Sequence, residues 1–204
     1  MTRYASGHKA ATRQRLIETA GRRFKRDGID GSGIATLVAD AGLTNGAFYG
    51  HFSSKDGLVA AVVAQQLADQ TLRMASLPVG ADSVEAMVGA YLSPAHRDDV
   101  SGGCPSAALL DEIARCGVEI REAYTEGTGG LIAAIARLID TGDAIEDQER
   151  AIAVFSLIVG ALQTARAVSD PDLSDRILAT ARAHAIAIAA APSHLTQPTE
   201  QDSE

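Results

Sequence analysis

The stretch from Gly28 to Phe52 reads GIDGSGIATLVADAGLTNGAFYGHF, and it decides the fold. Ile34, Leu37 and Val38 recur at helical spacing, which predicts a short helix of about two turns with those residues inward. Ser32 is placed as its N-cap, since a hydroxyl can accept a first-turn N–H. Ala41-Gly42-Leu43 reads as a turn, and Thr44 can cap a second short helix through Tyr49 and Gly50. Phe48 and Phe52 are the expected core anchors of that second helix.

Working outward, residues 9–27 place Leu16, Ile17, Ala20 and Phe24 on one helical stripe. Gly28 follows as a natural C′ residue, because it accepts positive φ without steric cost. Downstream, Ser53 or Ser54 caps a long helix from Lys55 to about Met74. Three helices joined by tight turns define a helix-turn-helix pattern. Its second short helix must enter a major groove about 12 Å wide while the first crosses the backbone. The small run Thr44-Asn45-Gly46-Ala47 lets backbone approach DNA closely. Helix N-termini favour anions, so Ser32 and Thr44 are candidate phosphate contacts.

Charge supports the same placement. The 204-residue chain has net charge −8, which taken alone argues against nucleic acid. Residues 1–60, however, hold nine basic and five acidic side chains, a local +4 that leaves −12 for the rest. A basic end on an acidic body raises a nucleic-acid hypothesis. Hydrophobic residues at 46 % exclude a disordered chain, and two cysteines exclude a disulfide scaffold. The best apolar run, Ala151 to Leu162, is shorter than a membrane span, and basic residues punctuate the N-terminus where a signal peptide would be apolar. The expected compartment is the cytoplasm, with no membrane partner.

The quoted stretch, with Ser54-Lys55-Asp56 after it, resembles the DNA-binding region of TetR-family transcriptional regulators. The matching positions are Ser32, Leu37-Val38, Ala41-Gly42-Leu43-Thr44, Gly46, Tyr49, His51-Phe52 and Lys55, about a quarter of the chain with its neighbours. Gly33 and Gly50 depart from the pattern, at positions where a Ser and an aromatic are common. The resemblance implies that Thr44, Asn45, Gly46 and Ala47 face base edges and adjoining phosphates. It implies that Tyr49, His51 and Lys55 hold the backbone, and that Ser32 and Ala35 lie against the other strand. Asn45 is the one good side-chain base reader of this helix, because Asn pairs with adenine. The basic run Arg22, Arg23, Lys25, Arg26 reads as a solvated face complementing the helix dipole.

The implied fold is all-α. A helix-turn-helix DNA-binding domain is expected over 1–53, a helical effector-binding and dimerisation domain over 54–191, and a polar, disordered tail over 192–204. Helices are expected over 83–92, 105–115, after an interruption at Gly117 to about Ile139, 146–168 and 173–190, with Ser93 to Gly103 a loop. Gly127, Gly129 and Gly130 mark a kink or mobile region. Two-sided apolarity on 146–168 and small residues on 173–190 suit a homodimer interface, hence a pseudo-palindromic operator. Met74, Tyr91, Cys104, Tyr124 and Phe155 are the candidate lining of a small apolar effector pocket, and each also reads as ordinary core.

The leading function is a repressor released from its operator when a small molecule binds. The alternatives are an activator, and a redox or electrophile sensor acting through Cys104 at a helix start. Cys104 also reads as a small buried residue. An enzyme is disfavoured. The five His are scattered, and His-Glu-x-x-His, Cys-x-x-Cys, GxSxG and P-loop patterns are absent, so no catalytic residue, metal ligand or cofactor is assigned.

Overall fold

The computed structural model describes residues 2–191, with side chains from Gly7 onward except His8. The expected tail over 192–204 lies outside the described residues. Among those residues there are ten helices and no strand. They are α1 (Thr2–Asp27), α2 (Ile34–Asp40), α3 (Asn45–Tyr49), α4 (Lys55–Ala75) and α5 (Ala81–Tyr91). The series continues with α6 (Pro94–Asp98), α7 (Pro105–Arg115), α8 (Val118–Ile139), α9 (Ala144–Ala167) and α10 (Pro171–Ala190).

The chain divides into two compact units. One is Met1–Arg73 with Pro94–Leu131, and the other is Met74–Ser93 with Ile132 onward. In the first, α1 packs on α2 and α7, and α2 packs on α3. The expected apolar stripe of α1 is buried: Leu16, Ile17, Ala20 and Phe24 are all at or near zero exposure. Helix α1 ends where Gly28 adopts φ +82° and donates its N–H to Phe24 O at 2.8 Å. The same logic ends α2. Gly42, at φ +66°, donates to Ala39 O, and the Leu43 N–H reaches back to Val38 O at 2.8 Å. This pair of bonds is a Schellman closure, and it fixes the sharp turn into α3.

Several sequence expectations change. Residues 93–103 are not all loop, because Pro94 opens the short α6. A proline suits a first helical turn, whose N–H groups lack intrahelical partners. The glycines at 127–130 do not kink α8, which is continuous. Gly127 is instead a contact point for α4, since a Cβ there would lie 2.7 Å from Leu67 Cβ. Ser32 does not cap α2. The N-cap is Gly33, which makes no side-chain cap, and the Ser32 hydroxyl donates to Gly28 O at 2.8 Å.

In the second unit α10 packs along α9 and against α5. Asp143 and Asp170 cap α9 and α10 by accepting first-turn N–H groups. Ser174 ties the two helices by donating its hydroxyl to Ala165 O at 2.7 Å. Buried Arg150 pairs with Glu146 and donates to the carbonyls of Ala189 and Ala191, so the end of α10 is held by a charged side chain of α9. Among the described residues α9 alone is long and apolar enough by composition to cross a membrane. Its buried stripe, Ala151, Val154, Phe155, Ile158, Val159, Leu162 and Ala165, is part of the protein's own core.

Candidate nucleic-acid interface

Helix α3 is only five residues long, too short to be stable alone. Two devices hold it. Thr44 caps it, with Oγ1 accepting the Ala47 N–H at 3.4 Å. Phe48, with no exposed surface, roots it in the core. The Phe48 ring meets Tyr49 edge-on at 5.2 Å between centroids and lies 5.9 Å from Phe52. After Gly50 the chain stays wound, as the N–H groups of His51 and Phe52 both donate to Phe48 O at 2.9 Å. Gly50 therefore does not unravel the helix end.

The face of this segment turned away from Phe48 carries small side chains and one large one. Thr44, Asn45 and Gly46 are exposed, and Ala47 is half-buried. Tyr49 is 62 % exposed, unusual for so large a side chain. A Cβ on Gly46 would meet only Thr44 Oγ1, at 3.9 Å. Nothing inside the fold requires glycine there, so its smallness serves the outer surface. Ala35 on α2 is also exposed. Ser32 is a correction: it is fully buried and spent on the Gly28 carbonyl, so its side chain is unavailable to a phosphate.

His51 is half-buried, with Nδ1 enclosed and without a hydrogen-bond partner. Burial, then the cations Lys9 and Arg13, push its pKa below the ordinary histidine value. Lys55 is half-buried and lines a polar cavity of about 280 Å³ with Asp30, Asp56, Glu112, Arg115 and Cys116. Burial and then Asp56, Asp30 and Glu112 raise the Cys116 thiol pKa, so this cavity disfavours a thiolate.

The basic run at the end of α1 is not a uniformly solvated face. Arg23 bridges Asp27 at 2.5 Å and Asp40 at 3.0 Å, and Arg26 pairs with Asp27 at 2.9 Å. Lys25 is buried and donates Nζ to Gly103 O at 2.7 Å. Beside that carbonyl, the Cys104 N–H donates to His96 Nε2 at 3.1 Å. Farther along α7, Glu112 Oε2 accepts the Ile29 N–H at 2.7 Å. Sequence reasoning missed both long-range links, because neither Lys25 nor Glu112 stands in a motif.

The five candidate pocket residues separate between the units. Cys104, buried, is the N-cap of α7, and the Tyr124 hydroxyl of α8 donates to Ser106 Oγ in the first turn of the same helix at 3.1 Å. Met74, Tyr91 and Phe155 belong to the second unit. There an open apolar groove of about 470 Å³ runs along α9 and α10, lined chiefly by Leu157, Ala161, Leu173, Ile177 and Ala181. None of the five candidates lines it or the polar cavity beside Lys55. Among the described residues no group of three or more His, Cys, Asp or Glu side chains is placed to hold a metal ion.

An all-helical protein with a capped, core-rooted recognition helix after a tight turn is a DNA-binding protein of the helix-turn-helix type. Residues 16–62 match the family of bacterial regulatory proteins, tetR family. That match, with the relatives and solved structures that follow, supports a TetR-family transcriptional regulator. It is 25 % identical over 136 residues to the HTH-type transcriptional repressor NemR of Escherichia coli strain K12, covering 64 % of this chain and 68 % of that protein. The crystal structure of E. coli NemR in its reduced form is similar, with TM-score 0.74 and 22 % identity over 86 % of this chain and 95 % of that one. A TetR-family regulator from Agrobacterium tumefaciens gives TM-score 0.71 at 18 % identity, covering 86 % and 98 %. Bacillus subtilis FadR in complex with stearoyl-CoA gives 0.67 at 14 %, covering 88 % and 99 %. Regulators of this family are in general DNA-binding proteins without enzymatic activity.

Proposed function

We propose that the protein is a homodimeric cytoplasmic repressor that leaves a pseudo-palindromic operator when a small, largely apolar molecule binds its helical body. The observation that carries this reading is the rooting of α3 by Phe48, which turns Asn45, Gly46 and Tyr49 outward on one surface. Asn45 reads a base edge. Thr44, Gly46 and Ala47 let the helix backbone approach, with Ala35 beside them. Tyr49, His51 and Lys55 meet phosphates. The functional division is 1–53 for DNA and 54–191 for effector and partner.

The groove along α9 and α10 supports a two-fold interface, because its apolar lining is uncovered in the single chain. A dimer through these helices sets two recognition helices one turn of DNA apart, about 34–36 Å or somewhat more. The effector site lies in the helical body, where Cys104 and Tyr124 of one unit and Met74, Tyr91 and Phe155 of the other remain separate candidates. Ligand and DNA then oppose each other through one coupling free energy, so each weakens the other's binding by the same factor. Selection of duplexes from a random pool tests the reading. The expected product is an inverted repeat, and recovery of no enriched sequence sinks it.

A second reading, redox or electrophile sensing, draws on one feature. Cys104 is the N-cap of α7, beside His96 and next to the carbonyl that Lys25 holds. Modification of that thiol would disturb a loop tied to α1. Its burial means the loop must open before an oxidant reaches it. Peroxide-dependent release of DNA by the wild type that is lost in Cys104→Ser supports this reading. Equal behaviour of the two proteins removes it.

A further inference from the structure

One stripe of α1 changes character along its length. Leu16, Ala20 and Phe24 recur at spacing of four and are buried. The same face continued toward the N-terminus carries Arg13 and Lys9, both exposed. Where a core-facing stripe would hold apolar residues, two cations stand instead.

They converge on the end of the recognition segment. The Arg13 guanidinium lies 4.9 Å from the centre of the Phe52 ring, within the range of a cation–π contact. Phe52 follows His51, and both Lys9 and Arg13 act electrostatically on that imidazole. Among the described residues neither Lys9 nor Arg13 forms an ion pair with a carboxylate. The contrast lies within the same helix, where Arg23 and Arg26 are bridged to Asp27 and Lys25 is held by Gly103. At one end of α1 Arg23, Lys25 and Arg26 are engaged within the fold, whereas Lys9 and Arg13 at the other end stand toward the His51–Phe52 turn that follows α3. Like charges so gathered repel, and an anion arriving between them reverses the sign of that interaction.

We propose that Lys9 and Arg13, with His51, form a seat for a backbone phosphate of duplex DNA, flanking the groove that α3 enters. The seat rests on the reading of α3 as the recognition helix. Its occupant is a phosphodiester of the same duplex, because the site is continuous with the Tyr49–Phe52 surface and its charge is complementary. The cation–π contact with Phe52 holds the Arg13 guanidinium in place, and Lys9 adds a mobile point charge one turn away.

The test uses the full chain, a labelled random-sequence duplex, and a duplex enriched by selection. Affinity is measured over a series of salt concentrations. Each neutralised phosphate contributes about 0.9 to the slope of log K against log salt. Arg13→Gln and Lys9→Gln are expected to lower that slope by about one per lost contact and to weaken both duplexes alike. Arg13→Lys keeps the charge and is expected to keep most of the slope. Arg15 is an exposed arginine on the same helix, rotated about 200° from Arg13. Arg15→Gln is therefore expected to retain the wild-type slope. A wild-type slope in Arg13→Gln, or an equal loss in Arg15→Gln, overturns the seat. Failure of the wild type to bind either duplex removes the recognition-helix reading with it. Thermal melting by circular dichroism confirms that each variant is folded.

Discussion

The Glu112 carboxylate of α7 accepts the backbone N–H of Ile29 at 2.7 Å, in the turn between α1 and α2. That turn is a poor place for an orphan donor, because Ile29 is buried. A Cβ on Gly28 would lie only 3.1 Å from the same carboxylate, so the glycine serves both its positive φ and this close approach. With Lys25 on Gly103, α7 and the segment before it are fastened to α1 and its following turn at two points.

Glu112→Ala removes the acceptor and leaves the Ile29 N–H unsatisfied. The expected cost is about 1–3 kcal/mol, the usual desolvation penalty of a part-buried unpaired donor. Glu112→Gln keeps an acceptor oxygen and is expected to lose less. Urea denaturation of the two variants checks the order. Equal losses would show that the charge, rather than the hydrogen bond, is what matters.

These links mark where sequence legibility ends. The recognition segment was readable because its requirements are local: a cap at Thr44, a positive-φ glycine at 42, apolar anchors at 48 and 52. The partners of Lys25 and Glu112 lie 78 and 83 residues away, and no periodicity encodes them. Ser32 failed for a related reason. Hydroxyls at helix starts favour capping on average, but here a carbonyl four residues back competes and wins. Met74, Tyr91, Cys104, Tyr124 and Phe155 each also read as ordinary core, and no local sequence feature separates a pocket lining from core.

Asn45→Ala is expected to change which base is preferred at one position of each half-site, at about 1–3 kcal/mol of discrimination. Tyr49→Phe is expected to weaken every duplex by a similar factor, since a phosphate contact carries no sequence information. Parallel binding measurements on a set of single-base variants of the selected duplex separate the two. A uniform loss for Asn45→Ala ends its role as reader.

His51 makes stability depend on pH in a defined direction. Its folded pKa lies below the ordinary value through burial, then Lys9 and Arg13. Above the unfolded pKa the imidazole is neutral in both states and costs nothing. As pH falls through that value, roughly 6.5, the unfolded chain takes up a proton that the folded one resists. Stability is therefore present above that pH and declines as it falls toward the folded pKa. His51→Gln is expected to flatten this part of the profile. Denaturation midpoints at a series of pH values between neutral and mildly acidic are the measurement, and an unchanged slope in the variant would assign the decline to other groups.

Leu173 lies on the first turn of α10, 39 % exposed, and lines the apolar groove with Leu157 and Ala161 of α9. A carboxylate there costs the single chain little, because the site is already open to water. Across a two-fold interface the same substitution places two buried like charges close together, with each copy of the groove facing the other. Leu173→Glu is therefore expected to halve the mass measured by light scattering while the thermal unfolding of the monomer changes only slightly. Its DNA affinity is expected to fall steeply, since each half-site then binds independently and the gain from linking two recognition helices disappears. A variant that stays dimeric would move the interface away from this groove. A monomer that still binds the full operator with wild-type affinity would show that the two recognition helices act without being joined.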